Sequence, residues 1–283
     1  MFYTPMLLNK RENPFDDDRY LYEPKVDGHR LLLSMDNGKV RLFTRHQFEV
    51  TAQYPELHNV PIDDPSDVVL DGEVAYVNPE TGDIEFETVM ERFHKRKYIE
   101  IRQASVNKPV VYYAFDILRY KGEDMRNKPL TERKALLERV LTNNSYYNRV
   151  FYVDGAGISL FQLMKERGLE GIVAKRKESV YVGRRSENWL KIINYTYANV
   201  EIAGYRRSQF GWLAQQNGKP AGIIELAVPA AHKQAFYGVA KALKTGEKGD
   251  FVYVEPRIRA RVRSRGWTRN GLLRSPEFVE FLI

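Results

Sequence analysis

Apolar residues along this chain fall into short runs that alternate with polar positions more often than they follow a helical repeat. The pattern therefore predicts a molecule built mainly from strands. LLLSM and VRLFTR flank Asn37-Gly38, a dipeptide suited to tight hairpin turns, and predict a β-hairpin there. VVLDGEVAYV, residues 68–77, reads as a strand interrupted by Asp-Gly, and VVYYAFDIL, residues 110–118, as a buried strand rich in aromatic and β-branched residues. Helical spacing appears between and after them. Phe86, Val89, Met90 and Phe93 stand at i, i+3, i+4 and i+7 and predict a helix with all four in the core. Leu136, Leu137, Val140 and Leu141 form the stripe of a helix over 131–141, and residues 158–169 predict another.

Beyond residue 195 the strand-like runs EIAGYRR, GIIELAV and DFVYVEPRIRARVR surround a turn at Gln216-Asn217-Gly218 and a helix near Ala230 to Leu243. In the last run Arg257, Arg259, Arg261, Arg263 and Arg265 alternate with Ile258, Ala260, Val262 and Ser264, which places the arginines on one face of a strand. A merely solvated or edge-protecting face would be served equally by lysines or mixed signs. Five arginines with no acid between them suit phosphate oxygens.

Charge distribution sharpens this picture. Of 44 Lys+Arg and 37 Asp+Glu, residues 196–283 hold 14 and 7, leaving 30 of each in residues 1–195. A neutral larger part and a basic smaller part predict two domains, the second meeting a polyanion by counterion release. At 283 residues and 43% hydrophobic content, both can bury a core. Cysteine is absent, which excludes disulfides, thiol catalysis and cysteine-bound zinc, and the five histidines lack His-x-x-x-His spacing, so a metal would sit on carboxylates. No apolar run approaches the roughly 20 residues that span a bilayer, and MFYTPMLLNK lacks a secretory pattern, so a cytoplasmic protein with no membrane partner is expected.

Two segments carry candidate chemistry. EPKVDGHR, residues 23–30, places a lysine beside an aspartate, a glycine and an arginine, as a nucleophile aimed at a nucleotide phosphate would be, although a Lys-Asp-Gly-Arg hairpin turn reads the same in isolation. GLEGIVAKRKESVYVGRRSENWLKIIN, residues 168–194, predicts a strand with Glu170 and Lys175, a basic loop, and a second strand with Trp189 and Lys191.

Together, EPKVDGHR, Arg45 in FTRH, LDGE at 70–73, YAFDIL at 113–118, EGIVAK at 170–175 and WLK at 189–191 stand in the order and approximate spacing of the ATP-dependent DNA ligases. GWTRNGLLRSPEF, residues 266–278, resembles the C-terminal signature of the bacterial subgroup similar to the ligase module of ligase D. The likeness to a minimal bacterial or phage ligase covers nearly the whole chain. K-x-D-G and E-G-x-V-x-K also occur in RNA ligases and mRNA capping enzymes, against which the C-terminal signature argues. A catalytically silent end-binding protein of the same fold is the reading from another class, and intact Lys25, Glu73 and Glu170 argue against it.

The resemblance implies an α+β fold: an ATP-grasp-like adenylation (nucleotidyltransferase) domain of antiparallel sheets and helices over 1–195, then a C-terminal OB-fold β-barrel over 196–283. It implies ATP as cofactor with AMP as a covalent adduct, Mg²⁺, and sealing of 3′-OH/5′-phosphate nicks in double-stranded DNA through a DNA-adenylate. Lys25 would be the nucleophile, and Lys175 and Lys191 would neutralise the α-phosphate and, with burial, help to deprotonate it. Glu73 and Glu170 would contact ribose or Mg²⁺, Arg30 and Arg45 the ribose or the nick phosphate, Phe115 the adenine face and Glu23 the adenine amino group. Arg269 and Arg274 would close over the pyrophosphate, and the arginine stripe would bind DNA.

The pattern departs from the family at Ile193, where a second lysine is common, and at His46-Gln47, where Asn-Gly is common. The short stretch before Lys25 leaves no room for the helical DNA-binding domain of large eukaryotic ligases, and the missing cysteine-bound zinc favours ATP over NAD. A monomer acting in DNA repair, replication or recombination is expected, with an end-binding or repair protein as a further partner.

Overall fold

Pairing between strands distant in sequence organises the molecule. The computed structural model describes residues 1–282 and divides into two compact units, Met1–Asn194 and the residues from Tyr195 onward.

The first unit contains β1 (Leu7–Lys10), β2 (Tyr20–Pro24), β3 (His29–Asp36), β4 (Lys39–Thr44), β5 (Asp67–Ala75), α1 (Phe86–His94), α2 (Tyr98–Asn107), β6 (Val111–Tyr120), β7 (Glu123–Asp124), α3 (Leu130–Val140), β8 (Tyr147–Arg149), β9 (Val153–Asp154), α4 (Gly157–Glu166), β10 (Gly171–Arg176) and β11 (Arg185–Ile193). Two 3-10 turns, Thr51–Gln53 and Pro55–Leu57, precede β5. One sheet has the order β1-β11-β10-β2-β9, with β1 parallel to β11. The other has the order β4-β3-β5-β6-β7, with β8 parallel to β6. The sheets face each other across Leu21 and Trp189 on one side and Leu32, Val69 and Leu118 on the other. Leu160 and Met164 of α4 cover the outer face of the first sheet. Leu136, Leu137 and Val140 of α3, with Tyr54 and Leu57, cover that of the second.

The hairpin forms at Asn37 and Gly38, with φ of 47° and 79°, the left-handed geometry that a two-residue turn requires. The 68–77 region is not interrupted at Asp-Gly. Strand β5 runs through it, and the glycine instead marks a register shift against β6 between Asp71 and Gly72. A Cβ at Gly72 would stand 2.5 Å from the Tyr112 ring, whose hydroxyl donates to the carbonyls of Leu31 and Leu70.

The expected core stripe of α1 needs correcting. Val89 is fully buried, but Phe86, Met90 and Phe93 are only partly so, and Arg92 takes a core position at 1% exposure. Its guanidinium pairs with Glu56 at 2.7 Å and donates to the carbonyls of Gln53, Ala104 and Lys108, so the charge is compensated where an apolar residue was expected. By contrast, all four stripe residues of α3 are buried.

The second unit contains β12 (Thr196–Arg206), β13 (Trp212–Gln216), β14 (Lys219–Ile224), α5 (Ala230–Ala240), β15 (Lys244–Lys248), β16 (Phe251–Val254), β17 (Arg259–Ser264) and β18 (Glu277–Leu282). Strand β12 carries β13 along one edge and both β16 and β17 along the other, with a register shift between Ile202 and Gly204. Trp212, Phe236 of α5 and Phe278 lie at the centre of its core. No sheet closes here: the seven strands make an open sheet, and between β14 and β18 only a bridge from Leu226 to Glu277 is present among the described residues. The continuous arginine strand also divides. The chain turns at Glu255–Ile258, so Arg257 precedes β17, Arg259, Arg261 and Arg263 lie on it, and Arg265 follows it.

Asp116 on β6 and Arg133 on α3 form a fully buried bidentate pair, with contacts of 2.7 and 2.9 Å. Removing one partner strands the other charge, so Asp116→Ala should cost about 3–5 kcal/mol in equilibrium urea denaturation. Asp124→Ala, which breaks the more exposed pair with Arg126, should cost less than about 1 kcal/mol.

Candidate active site

The K-x-D-G segment is the crossing from one sheet to the other. Strand β2 ends at Pro24, β3 begins at His29, and residues 25–28 span the gap. Two close backbone approaches hold this crossing. A Cβ on Gly28 would stand 2.2 Å from the Val74 carbonyl oxygen on β5, and a Cβ on Gly171 would stand 2.1 Å from that of Ile192 on β11. Gly171 also has φ of +130°, where an L side chain is strained. Its carbonyl accepts from the Lys25 amide at 2.9 Å, which fixes the root of the lysine.

Lys25 Nζ lies 2.9 Å from Glu170 Oε2. Burial alone would lower the lysine's pKa, but the charges of Glu170 and Glu73 outweigh it and hold the group above its ordinary value. The expectation that cations would deprotonate Lys25 is thus reversed, because its nearest strong partners are carboxylates. Glu73 stands opposite Arg30 in the β3–β5 pairing. Burial pushes its pKa up to about 8, opposed by Lys25 and Arg30 and reinforced by the negative charges of Glu170 and Asp71.

Arg30 is held by Asp71, Met6 and Tyr181. It makes a bidentate pair with buried Asp71 at 2.9 and 2.6 Å and donates to the Met6 carbonyl at 2.7 Å. The Tyr181 hydroxyl donates to the same aspartate at 2.7 Å. The Arg30 guanidinium also lies 5.3 Å from the centre of the Phe115 ring.

On the first sheet, Leu21, Lys175 and Trp189 form one cross-strand row, and Glu23, Val173 and Lys191 the next. Directly opposed residues share a face, so Glu23, Lys175 and Lys191 stand together. Lys175 Nζ is 4.3 Å from the Phe115 ring centre, 4.2 Å from that of Trp189 and 2.7 Å from Glu23 Oε2. Its pKa is lowered to about 8, chiefly by burial, with Glu23 opposing and Lys134 adding to the fall. Lys134 of α3 reaches the other Glu23 oxygen, so one buried carboxylate serves two lysines. In the following row, Ile193 pairs with Gly171 and is buried where the family pattern would place a lysine.

Lys25, Arg30, Glu73 and Glu170 therefore form one electrostatic cluster, and Glu23, Lys175, Phe115 and Trp189 a neighbouring one. Arg45 stands apart, exposed at the turn after β4, with Nε 2.9 Å from His46 Nε2. Arg269 and Arg274 belong to the second unit, Arg269 inside the loop closed by the Trp267–Leu273 bridge and Arg274 directly after it. The stripe arginines meet acids: Arg257 pairs with its neighbour Glu255 at 2.9 Å, and β18 brings Glu280 to 3.7 Å from Arg261 and Glu277 to 2.9 Å from Arg263. Arg261 and Arg263 also sit over Tyr197 and Tyr195, at 5.0 and 4.4 Å. Arg259 faces Glu201 in the β12–β17 register, the Arg265 amide donates to the Arg274 carbonyl, and the Arg274 amide donates to that of Gly266.

Asp71, Lys134 and Tyr181 were missed by sequence reasoning. Asp71 had a signal, since L-D-G-E puts two acids at i and i+2 on one face of a strand. Lys134 reads locally as a surface charge on a helix, and nothing near Tyr181 indicates its partner 110 residues away.

Among the described residues no group of three or more Asp, Glu and His side chains could hold a metal. Glu73 and Glu170 repel each other and are two carboxylates, a donor set that fits Mg²⁺ when phosphate oxygens complete the shell.

Residues 5–192 match the family described as ATP dependent DNA ligase domain. Over its full length the chain is 40% identical to the whole of the SPbeta prophage-derived DNA ligase-like protein LigB of Bacillus subtilis (strain 168). It is 29% identical to the multifunctional non-homologous end joining DNA repair protein LigD of Mycobacterium tuberculosis (strain ATCC 25618 / H37Rv), with 90% of this chain matching 35% of that protein. The chain thus spans about a third of LigD. Among solved structures, a mycobacterial DNA ligase D complexed with ATP and MES matches with a TM-score of 0.61 and 26% identity, covering 99% of this chain and 95% of that one. A Lig E DNA ligase structure matches in fold alone, with a TM-score of 0.69, 14% identity and full coverage of both chains.

Because Glu73 has a folded-state pKa near 8, above its ordinary 4.5, it favours the fold most below its unfolded pKa and loses that contribution as pH rises through about 8. Glu73→Gln cannot ionise. Its thermal midpoint should match the parent protein near about pH 5 and exceed it by a few degrees near about pH 9. Equal midpoints at both pH values would show that Glu73 titrates normally.

Proposed function

The chain belongs to the ATP-dependent DNA ligase family, and we propose that it seals 3′-OH/5′-phosphate nicks in duplex DNA through an AMP carried on Lys25. The observation that carries this reading is the position of Lys25 at the sheet crossing, 2.9 Å from Glu170 and within the field of Glu73. A nucleotidyltransferase needs a lysine held at a fixed point among charges that can be exchanged for those of a triphosphate.

In the first step Lys25 gives one ammonium proton to water, the free amine Nζ attacks the α-phosphorus of ATP, a P–N bond forms as the bond to pyrophosphate breaks, and the second nitrogen proton passes to the departing pyrophosphate or to water. A 5′-phosphate oxygen of the nick then attacks that phosphorus, breaking the P–N bond and giving the DNA-adenylate. The 3′-OH finally attacks the 5′-phosphate, AMP departs, and the strand is continuous. In the first step Glu170 must give up Lys25, so its ion pair orients the lysine before ATP binds and is lost as the nucleotide seats.

Glu73 and Glu170 are the residues that would hold Mg²⁺, which supplies positive charge to the phosphate oxygens. Lys175 and Lys191, on one face of the first sheet, supply further cations for the α-phosphate. Phe115 offers adenine a ring edged by Trp189, 6.2 Å between ring centres. For Glu23 to accept from the adenine amino group, Lys175 or Lys134 must release one of its oxygens. Arg30 is held to Asp71 and Met6, and this favours a role in fixing the pocket wall beneath Phe115, with its remaining reach turned to the ribose. Arg45, Arg269 and Arg274 keep their proposed roles at the nick phosphate and the pyrophosphate.

We assign residues 1–195 to the nucleotidyltransferase domain and 196–283 to an OB-fold-type DNA-binding domain. A long shared strand with a register shift, an inserted helix and the basic β17 face support the second assignment. No helix among the described residues is long and apolar enough to cross a membrane, and we place the protein in the cytoplasm as a monomer acting on nicked DNA.

Intact mass after incubation with ATP and Mg²⁺ should rise by one AMP, and the adduct should disappear as a nicked duplex is sealed. Lys25→Ala should give neither adduct nor product while still binding DNA. Sealing by Lys25→Ala would overturn the mechanism, and an adduct formed from GTP or transferred only to RNA would change the substrate class.

A further inference from the structure

Residues 1–195 hold 30 basic and 30 acidic residues, yet residues 92–102 hold five Lys+Arg and one acid. This local excess forms the turn between α1 and α2, and its position is set by the site. The Phe93 ring packs edge-on against His29, with centres 4.4 Å apart, and His29 follows directly on the Lys25–Gly28 crossing. His94, next to Phe93, and Arg45, on the turn after β4, both lie close enough for their charges to act on His29.

The two turns are tied together. Arg92 donates to the Gln53 carbonyl at 3.0 Å, and with the Gln53 amide assigned so that its oxygen faces Arg96, those groups are 2.9 Å apart. Gln53 ends the 3-10 turn that follows the Arg45 loop. His46, His94, Arg96 and Lys97 are exposed, as is Arg45. Arg96 donates to the carbonyls of Phe93 and Lys95 rather than to a carboxylate. Neighbouring acids are engaged elsewhere: Glu56 with Arg92, Glu91 with Lys108 and Glu49 with Arg41. Glu100 reaches the turn between α1 and α2, 3.4 Å from Lys97.

We propose that Arg45, His46, His94, Arg96 and Lys97, with half-buried Lys95, form a phosphate-backbone track on the first unit, which holds the duplex beside the nick. The inference rests on the nick-sealing reading and adds a second DNA contact, separate from the arginine face of the second unit. Charge complementarity selects the partner. A polyanion with regularly repeated phosphates fits the cations Arg45, Lys95, Arg96 and Lys97, which few acids oppose and beside which His46 and His94 offer ring N–H donors. The track starts beside His29, so DNA lying along it passes the residue that follows the Lys25 crossing.

The test is the affinity of the full chain for a fluorescent nicked duplex as a function of NaCl concentration. Lys95→Ala/Arg96→Ala/Lys97→Ala should bind at least about tenfold more weakly at moderate salt, with a log–log salt slope shallower by about 2–3. Because Arg96 also joins the two turns, Lys97→Glu serves as a second variant. Its side chain is 81% exposed, and it should lower affinity severalfold without touching the fold. Lys165→Ala/Arg167→Ala removes charge at the end of α4 and should keep the parent slope.

Parent-like affinity and slope in both track variants would overturn the track, as would an equal loss in the α4 variant, since the effect would then be one of net charge. Adduct formation with ATP alone, measured on the parent protein, separates the two levels. With no adduct, the nick-sealing reading fails; with an adduct and unaltered DNA binding in the track variants, only the track fails.

Discussion

The contact on which the first unit depends has no side chain in it. At Gly28 the backbone runs against strand β5 so closely that a single Cβ would collide with the Val74 carbonyl. Only four residues separate the last residue of β2 from the first of β3, and they pass from one sheet to the other. A longer or bulkier crossing would push the sheets apart and lift Lys25 away from Glu73. Gly171 makes the matching approach on the other sheet, and its carbonyl anchors the lysine's own amide. Two glycines thus decide where the Lys25 amine can be, and the charged side chains settle around that position.

Much of the space near the crossing is filled by charge. Arg30 with Asp71, Glu23 with Lys175 and Lys134, and Asp116 with Arg133 are all largely withdrawn from water. Stability alone does not call for such pairs, since apolar residues of similar volume are often equally stabilising. Catalysis of phosphoryl-type transfer does call for fixed charges, because reorienting them during reaction would cost part of the gain. The outer faces of the two sheets, where no chemistry is proposed, are covered by ordinary aliphatic stripes such as that of α3 and α4.

That division explains what was legible in the sequence. The α3 stripe and the Asn37-Gly38 hairpin follow from local pattern, and both form as expected. Helix α1 was misread because Arg92 is buried by partners from the Pro55–Leu57 turn and from α2, neither of which a helical repeat can show. Lys25, Glu73, Glu170 and Lys175 were visible as motifs, but not the sign of the field at Lys25, which depends on carboxylates brought in from two sheets. The arginine run of the second unit contains no acid, yet β18 delivers Glu277 and Glu280 to its strand. Local spacing reports faces, while pairing partners come from topology.

One consequence follows from where the two carboxylates are rooted. Glu170 immediately precedes β10 in one sheet, and Glu73 lies on β5 in the other, with Lys25 on a four-residue tether between them, and residues 150–152 make a second short crossing from β8 to β9. The distance between their backbones cannot change unless one sheet shears over the other, and closely packed layers slide in small steps rather than bend. The pair therefore behaves as the jaws of a caliper. Whatever is gripped between them measures the offset of the two sheets, and the tethered lysine travels with that measurement.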